Sequence, residues 1–234
     1  MSRTEGLDQT GAITPSPGSL DDYIAALGHC AIGREQAASG WPVHLADLRK
    51  VCALQGAVHY DQARDQTVEA KRDDWESIAR ISLPVRDDHE IPAQFDPSQK
   101  AWIITSQSSN LQIVGNFETR VEGEGHAFGL VVRVLPSFVQ VVRFRNRYLL
   151  HDGYHRCLGF LSRGIHLVPV FYKELGPYEE LGIPQGILPQ GAFLGPRPPL
   201  LPDYLAEDVS AEVALPATRR MVVISGIETN VAGL

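Results

Sequence analysis

The sequence contains no run of about 18 apolar residues, the length a helix needs to cross a bilayer. Its longest apolar stretch, residues 128–135, is interrupted by Arg133. The first ten residues lack the apolar centre of a secretory signal, so a cytoplasmic protein with no membrane contact is expected. Cysteine is scarce: Cys30, Cys52 and Cys157 are far apart and form no C-x-x-C pair, which signals neither a zinc knuckle nor a redox couple. Their odd number argues against a disulfide framework, and at least two of them are expected to be plain buried thiols. Positive charge is in deficit, with 21 Lys and Arg against 28 Asp and Glu and a net charge of -7. Such a chain is a poor non-specific ligand for nucleic acid, whose binding rests on phosphate neutralisation. No internal repeat is visible.

What the chain does have is enough apolar material, 44% of residues, for a sizeable core in 234 residues. Residues 1–19 are rich in Gly and Pro and poor in apolar side chains, and are expected to form a disordered tail. Residues 20–100 read as a helical extension. Helices are predicted over 20–27, capped by Ser19 and closed by Gly28; over 43–55, from the spacing of Leu45, Leu48, Val51, Cys52 and Leu54; and over 73–80, with Asp73 and Asp74 at its start. His44 and His59 are expected to be ordinary histidines. Prolines and charges mark residues 84–100 as a connector.

From 101 onward the patterning turns to strands. They are predicted over 101–105, 111–114 and 127–135, with a turn at 106–110 and a polar loop at 121–125. A hairpin over 138–144 and 148–150 should turn at Arg145 and Asn146. A strand from Arg147 then runs into Gly153, a helix spans 154–163, Gly164 stops it, and a strand covers 165–172, with Pro169 suggesting an edge or strand-start position. Residues 176–202, dense in Pro and Gly, read as an extended arm that wraps a surface or docks a protein partner. A last strand is expected over 219–224. The fold class is therefore α/β of the α+β kind: a small mixed sheet with short helices over 101–175, an N-terminal helical extension, and a proline-rich C-terminal arm with a terminal strand over 176–234.

The segment Asp152-Gly153-Tyr154-His155-Arg156 concentrates chemistry. A glycine that closes a strand lets the backbone turn sharply and approach a ligand. The helix that begins there leaves its first N–H groups unpaired, and their positive end accepts phosphate or carboxylate. Arg156 would add a fork of donors, His155 a donor or a proton carrier near neutral pH, and Asp152 a base, a metal ligand or an orienter of His155. The bland alternative is a helix cap at Asp152 and a surface ion pair at Arg156. Between Gly125 and Lys173, Arg133, Arg143, Arg145, Arg147, Arg156, Arg163 and Lys173 face a single acidic residue, Asp152. That is a basic island in an acidic chain, and it attracts anions locally unless its members are merely solvent-facing strand positions.

The stretch Tyr148 to Val170 resembles the core of the ParB/sulfiredoxin superfamily: a strand, a G-x-x-R or G-x-H-R turn, a short helix, a glycine, and a strand carrying Val-Pro-Val. Gly153-Tyr154-His155-Arg156 is similar to the G-C-H-R of sulfiredoxins and the G-E-R-R of ParB proteins. With Asp152 included, the segment is closer to the D-G-H-H-R and D-G-Q-H-R forms of free serine kinases and related proteins. The likeness extends over 127–172 when the preceding strands are counted. It implies that Gly153, His155 and Arg156 contact the phosphates of a nucleoside triphosphate, with Tyr154 counted in the same binding turn. Asp152 and His155 are the candidate catalytic groups by residue type and position, and oxygen-type ligands make Mg²⁺ the expected metal. Two departures narrow it. Sulfiredoxins carry their reactive cysteine where this chain has Tyr154, which excludes that sulfur chemistry. ParB proteins continue into helix-turn-helix elements, whereas this chain turns proline-rich. The function expected is nucleotide or phosphate binding, extending to phosphoryl transfer, nucleotide hydrolysis or a nucleotide switch. A ParB-like nuclease or DNA-binding protein, and a non-catalytic interaction module, are the alternatives.

Overall fold

A computed structural model describes residues 7–85, 91–106, 110–121, 125–182, 187–216 and 220–226. In chain order its elements are β1 (Ile13–Pro15), α1 (Asp21–His29), α2 (Ala31–Ala38), β2 (Val43–Asp47), α3 (Tyr60–Gln66), α4 (Trp75–Ser82), β3 (Ala93–Asp96), β4 (Ala101–Ser106), β5 (Leu111–Val121), β6 (Gly125–Val134), β7 (Gln140–Phe144), β8 (Arg147–Asp152), α5 (Tyr154–Ser162), β9 (Leu167–Glu174), α6 (Gln190–Phe193) and β10 (Arg220–Ser225). The class is mixed α+β, with short helices and several small sheets. No helix among the described residues is long and apolar enough to cross a membrane.

The chain folds as two compact units. The larger is made of residues 1–86 and 137–212, the smaller of 87–136 and 213–234. These bounds differ from the divisions expected at 100/101 and 175/176. The run of strands over 101–172 divides between the two units. β4, β5 and β6 belong to the smaller unit, where β4 pairs with β3 and with the distant β10, while β7, β8 and β9 build the larger unit. Strand patterning reports that a segment is extended and half-buried; it does not report its partner.

The larger unit holds a five-stranded sheet in the order β1-β2-β9-β7-β8. The expected tail thus contributes an edge strand, with Ile13 opposite Ala46, and Ala12 is fully buried. The predicted 43–55 helix is instead β2 followed by a 3-10 turn. Its apolar residues are buried as expected, but Val43 to Asp47 pair with β9. Asp47 ends the strand by accepting from the Arg49 amide at 3.1 Å, a local bond that competes with helix. The helices predicted over 20–27 and 73–80 appear as α1 and α4, shifted by a residue or two at their ends. Leu20, not Ser19, stands at the start of α1.

The β7–β8 hairpin turns where expected, with φ of 46° at Arg145 and 60° at Asn146. Pro169 lies in the central strand, not at an edge or start. The Phe171 amide reaches the Val139 carbonyl at 3.0 Å, so the parallel-spaced position of Pro169 faces the same side. There β7 has not yet begun, since its pairing starts at Gln140 opposite Phe171. A missing donor costs no ladder bond at that point.

The proline-rich 176–202 segment is a folded part of this unit. Leu181, Phe193 and Leu201 are buried in the main core with Val139, Leu149, Cys157 and Phe160, and Leu200 bridges to Cys52. Cys52 and Cys157 are fully buried free thiols and Cys30 is partly buried. Burial pushes the Cys52 thiol up to about 11 and Cys157 higher still, so neither is a thiolate near neutral pH.

The smaller unit has a three-stranded antiparallel sheet, β10-β4-β3, and a long two-stranded ribbon of β5 and β6. The last strand falls where it was expected. Ile104, Leu111 and Val134 form this unit's core, with Val222 and Ile224 packed against them. The predicted turn at 106–110 and the loop at 121–125 lie partly outside the described residues.

Candidate functional site

β8 delivers the chain to Gly153, which turns at φ +94° into α5. Only glycine suits this place twice over: the left-handed backbone disfavours a Cβ, and a Cβ built there would stand 2.9 Å from the Val139 main chain. A bulge between Gln140 and Val141 sits directly opposite, against Asp152. Gly164, at φ +70°, ends the following turn. The strand–glycine–helix–glycine–strand unit read from the sequence is therefore present, with α5 over Tyr154–Ser162 and β9 over Leu167–Glu174.

The five motif residues do not share one surface. Asp152 stays beside the turn, where its Oδ1 accepts from the Gly153 amide at 2.6 Å. Burial pushes the Asp152 carboxyl above its ordinary range, opposed by that bond and by Arg156 and His151 nearby. Tyr154 points inward. Its hydroxyl donates to the Leu150 carbonyl at 2.6 Å and accepts from the Leu54 amide at 2.7 Å, which pins the 51–55 segment to α5. Arg156 is 8% exposed. Its Nη1 donates to the carbonyls of Ser137 at 2.7 Å, Ile81 at 3.2 Å and Ser82 at 3.4 Å, and Nη2 donates to Ser137 Oγ. Tyr154 and Arg156, both expected at a phosphate, thus make their hydrogen bonds within the protein. The physical reason is the position of α4. The last carbonyls of a helix have no intrahelical donor, and a guanidinium fork satisfies several of them at once.

His155 is half-buried and stacks on the exposed His59, ring centres 5.8 Å apart and 21° from parallel. Burial, then the neighbouring His59 and Arg156, lower its pKa from 6.5 to about 4, so the ring is neutral at pH 7. His59, read from sequence as an ordinary histidine, is exposed and lies against the motif. Nothing in the sequence could link two histidines so far apart. His151 adds a second missed contact. Its Nε2 donates to the Leu181 carbonyl at 2.8 Å, and Nδ1 lies 3.3 Å from the Gln140 side-chain amide, which itself reaches Gln36 at 3.2 Å.

Several members of the basic island have partners within the protein. Arg143 pairs with Glu174 at 3.1 Å, Arg147 donates to the Gly195 carbonyl, Arg163 reaches Thr67, and Lys173 donates to the Ser39 carbonyl. Arg133 belongs to the smaller unit. Two hollows of the larger unit, about 580 and 450 Å³, flank the Arg80–Glu76 ion pair and also border Tyr23 and Lys71; no residue of 152–156 lines either. Among the described residues, no three His, Cys, Asp or Glu side chains are placed to hold a metal ion.

The two shifted groups act on stability in opposite senses. The unfolded chain protonates His155 near 6.5, while the folded chain resists down to about 4. Between those values the unfolded state holds more protons, so stability falls as pH drops from 6.5 toward 4. Asp152 has a raised folded pKa and so holds more protons when folded. Its contribution is present at low pH and is lost as pH rises through that folded value. With its partial exposure, His155 accounts for at most about 3 kcal/mol. His155→Gln is expected to flatten the loss between pH 6.5 and 4.5, read as urea midpoints across that range. An unchanged slope would show that the ring is not held neutral.

Compared with protein-family models, with curated proteins and with solved structures, the chain finds no match.

Proposed function

We propose that the protein binds a phosphate-bearing ligand, with a nucleoside triphosphate as the leading class, at the amino end of α5, and that Asp152 and His155 handle the proton in its reaction. The observation that carries this reading is the first turn of α5. It opens directly behind a left-handed Gly153 and has no side-chain cap, so main-chain donors and the positive end of the helix meet where a strand ends. The likeness of residues 148–170 to the ParB/sulfiredoxin superfamily supports the same place and a ligand of this class.

The two titrating groups support a reaction and not binding alone. Asp152 is pushed toward its protonated form and His155 toward its neutral form, a divergence that suits one group to hold a proton and the other to accept one. Arg156 brings positive charge to this end of α5, while its Nη1 holds Ser137, Ile81 and Ser82. A Mg²⁺ ion accompanying the nucleotide takes one or two protein carboxylates. Asp152, with Oδ1 on the Gly153 amide, is the carboxyl the turn supplies, and it would serve the ion only when ionised, in place of holding the proton.

Titration calorimetry with ATP, CTP and GTP in the presence of Mg²⁺ tests the proposal. Binding of at least one nucleotide is expected, with affinity kept but turnover lost in Asp152→Asn. Absence of heat with all three nucleotides overturns it.

A further inference from the structure

The β5–β6 ribbon is exposed on both faces over its outer half. Glu118 lies opposite Phe128, Asn116 opposite Leu130 and Arg120 opposite His126, which puts these six on one face. Phe117 lies opposite Gly129 on the other, its ring close over the glycine. Phe117 is 50% and Phe128 64% exposed, and Ile113 and Leu130 are also open to solvent. Among the described residues the base of the ribbon enters a core at Leu111 and Val134, with Val132 packed against them. Among the described residues, neither strand has a second strand partner. A free two-stranded ribbon with apolar side chains on both faces is marginal in water, and its open edges are templates for another strand.

We propose that β5 pairs edge to edge with β5 of a second copy of this chain, antiparallel about a twofold axis at Thr119, giving a continuous sheet β6-β5-β5-β6. The charge pattern of the strand selects this partner and register. With Thr119 opposite itself, Glu118 of each copy stands opposite Arg120 of the other, so the axis creates two pairs of opposite charge on one face. Opposite charges directly across an antiparallel pair stabilise it, and like charges there oppose it. A twofold contact requires such self-complementarity, since each residue meets its own patch. The outer part of β6, from His126 to Leu130, has no acidic residue, so no antiparallel pairing of β6 with itself brings opposite charges together there. The base of β5 is already engaged in the core, which leaves residues 117–121 as the overlap, a strand of ordinary length.

Sedimentation of the full chain across a concentration series tests this. A concentration-dependent dimer is expected. Arg120→Glu places like charges opposite at both positions and should weaken association by roughly tenfold or more, while the swap Glu118→Arg with Arg120→Glu should restore it to within about threefold. A Thr119→Cys chain should form a covalent dimer under an added oxidant, because residues opposite across a strand pair lie within disulfide reach. With the partly buried Cys30 changed to serine in both chains, the chain that keeps Thr119 should not, since Cys52 and Cys157 are buried. A monomer at every concentration overturns the proposal. So does a dimer indifferent to Arg120→Glu, or one that the charge swap fails to restore.

Discussion

Arg156→Met is expected to destabilise the larger unit by about 3 kcal/mol or more. Methionine keeps most of the stem but removes every donor. The carbonyls of Ser137 and Ile81 then lose their bond to Nη1, and Ser137 Oγ loses its bond to Nη2. Ser82 fares better, because its carbonyl also accepts from the Val139 amide at 2.8 Å. Its own hydroxyl is buried without a partner among the described residues. The measurement is a fall in the urea midpoint at unchanged m. It also separates two roles for the same residue. An arginine whose main work is to grip a ligand at an open surface leaves stability within about 0.5 kcal/mol when replaced. Here the stability loss should come first, with or without nucleotide present.

Gly159→Val is expected to cost about 3 kcal/mol, and Gly159→Ala somewhat less, in the sense opposite to helix propensity. Glycine inside a helix is ordinarily about 1 kcal/mol worse than alanine, so an unconstrained site gains from the change. This one is constrained. A Cβ on Gly159 would stand 2.3 Å from the Ala63 carbonyl oxygen and 2.3 Å from Thr67 Oγ1, where α5 packs on α3. The Ala63 oxygen is main chain and cannot swing away, and Thr67 is held by its own bond to that oxygen at 2.8 Å. The helices must separate, which also moves His59, at the start of α3, from His155. Two readouts should therefore change together: a lower urea midpoint, and a His155 titration shifted back up toward 6.5 in a variant that still folds. A Gly159→Ala chain more stable than the parent would show that α3 and α5 are not in close contact.

Much of the α5 neighbourhood was legible in the sequence because its determinants are local. The turn at Arg145 and Asn146, the left-handed Gly153, the helix after it and the stop at Gly164 depend on backbone preferences within a few residues of one another. The uncapped helix start follows from the same local fact. What was not legible was the direction of each side chain. Tyr154 and Arg156 look alike from the sequence as polar groups near a turn. Their partners, Leu54, Ile81, Ser82 and Ser137, come from segments whose placement is a matter of packing. The same holds for the 43–55 stretch. The spacing of Leu45, Leu48, Val51 and Leu54 satisfies a helix as well as a strand, a turn and an extended segment, and pairing with β9 decided between them.

The amino-acid sequence by itself determined that this chain is an α+β protein with a glycine-turned helix start at residue 153, because short-range backbone sterics and apolar patterning settle such features without outside help. Tertiary structure alone decided that the strands of residues 101–172 divide between two units, that Arg156 is spent on helix α4 and the return of the chain at Ser137, and that His59 meets His155. Those outcomes depend on which distant segments bury one another, and burial is a property of the whole assembly of contacts, not of any stretch of residues within it.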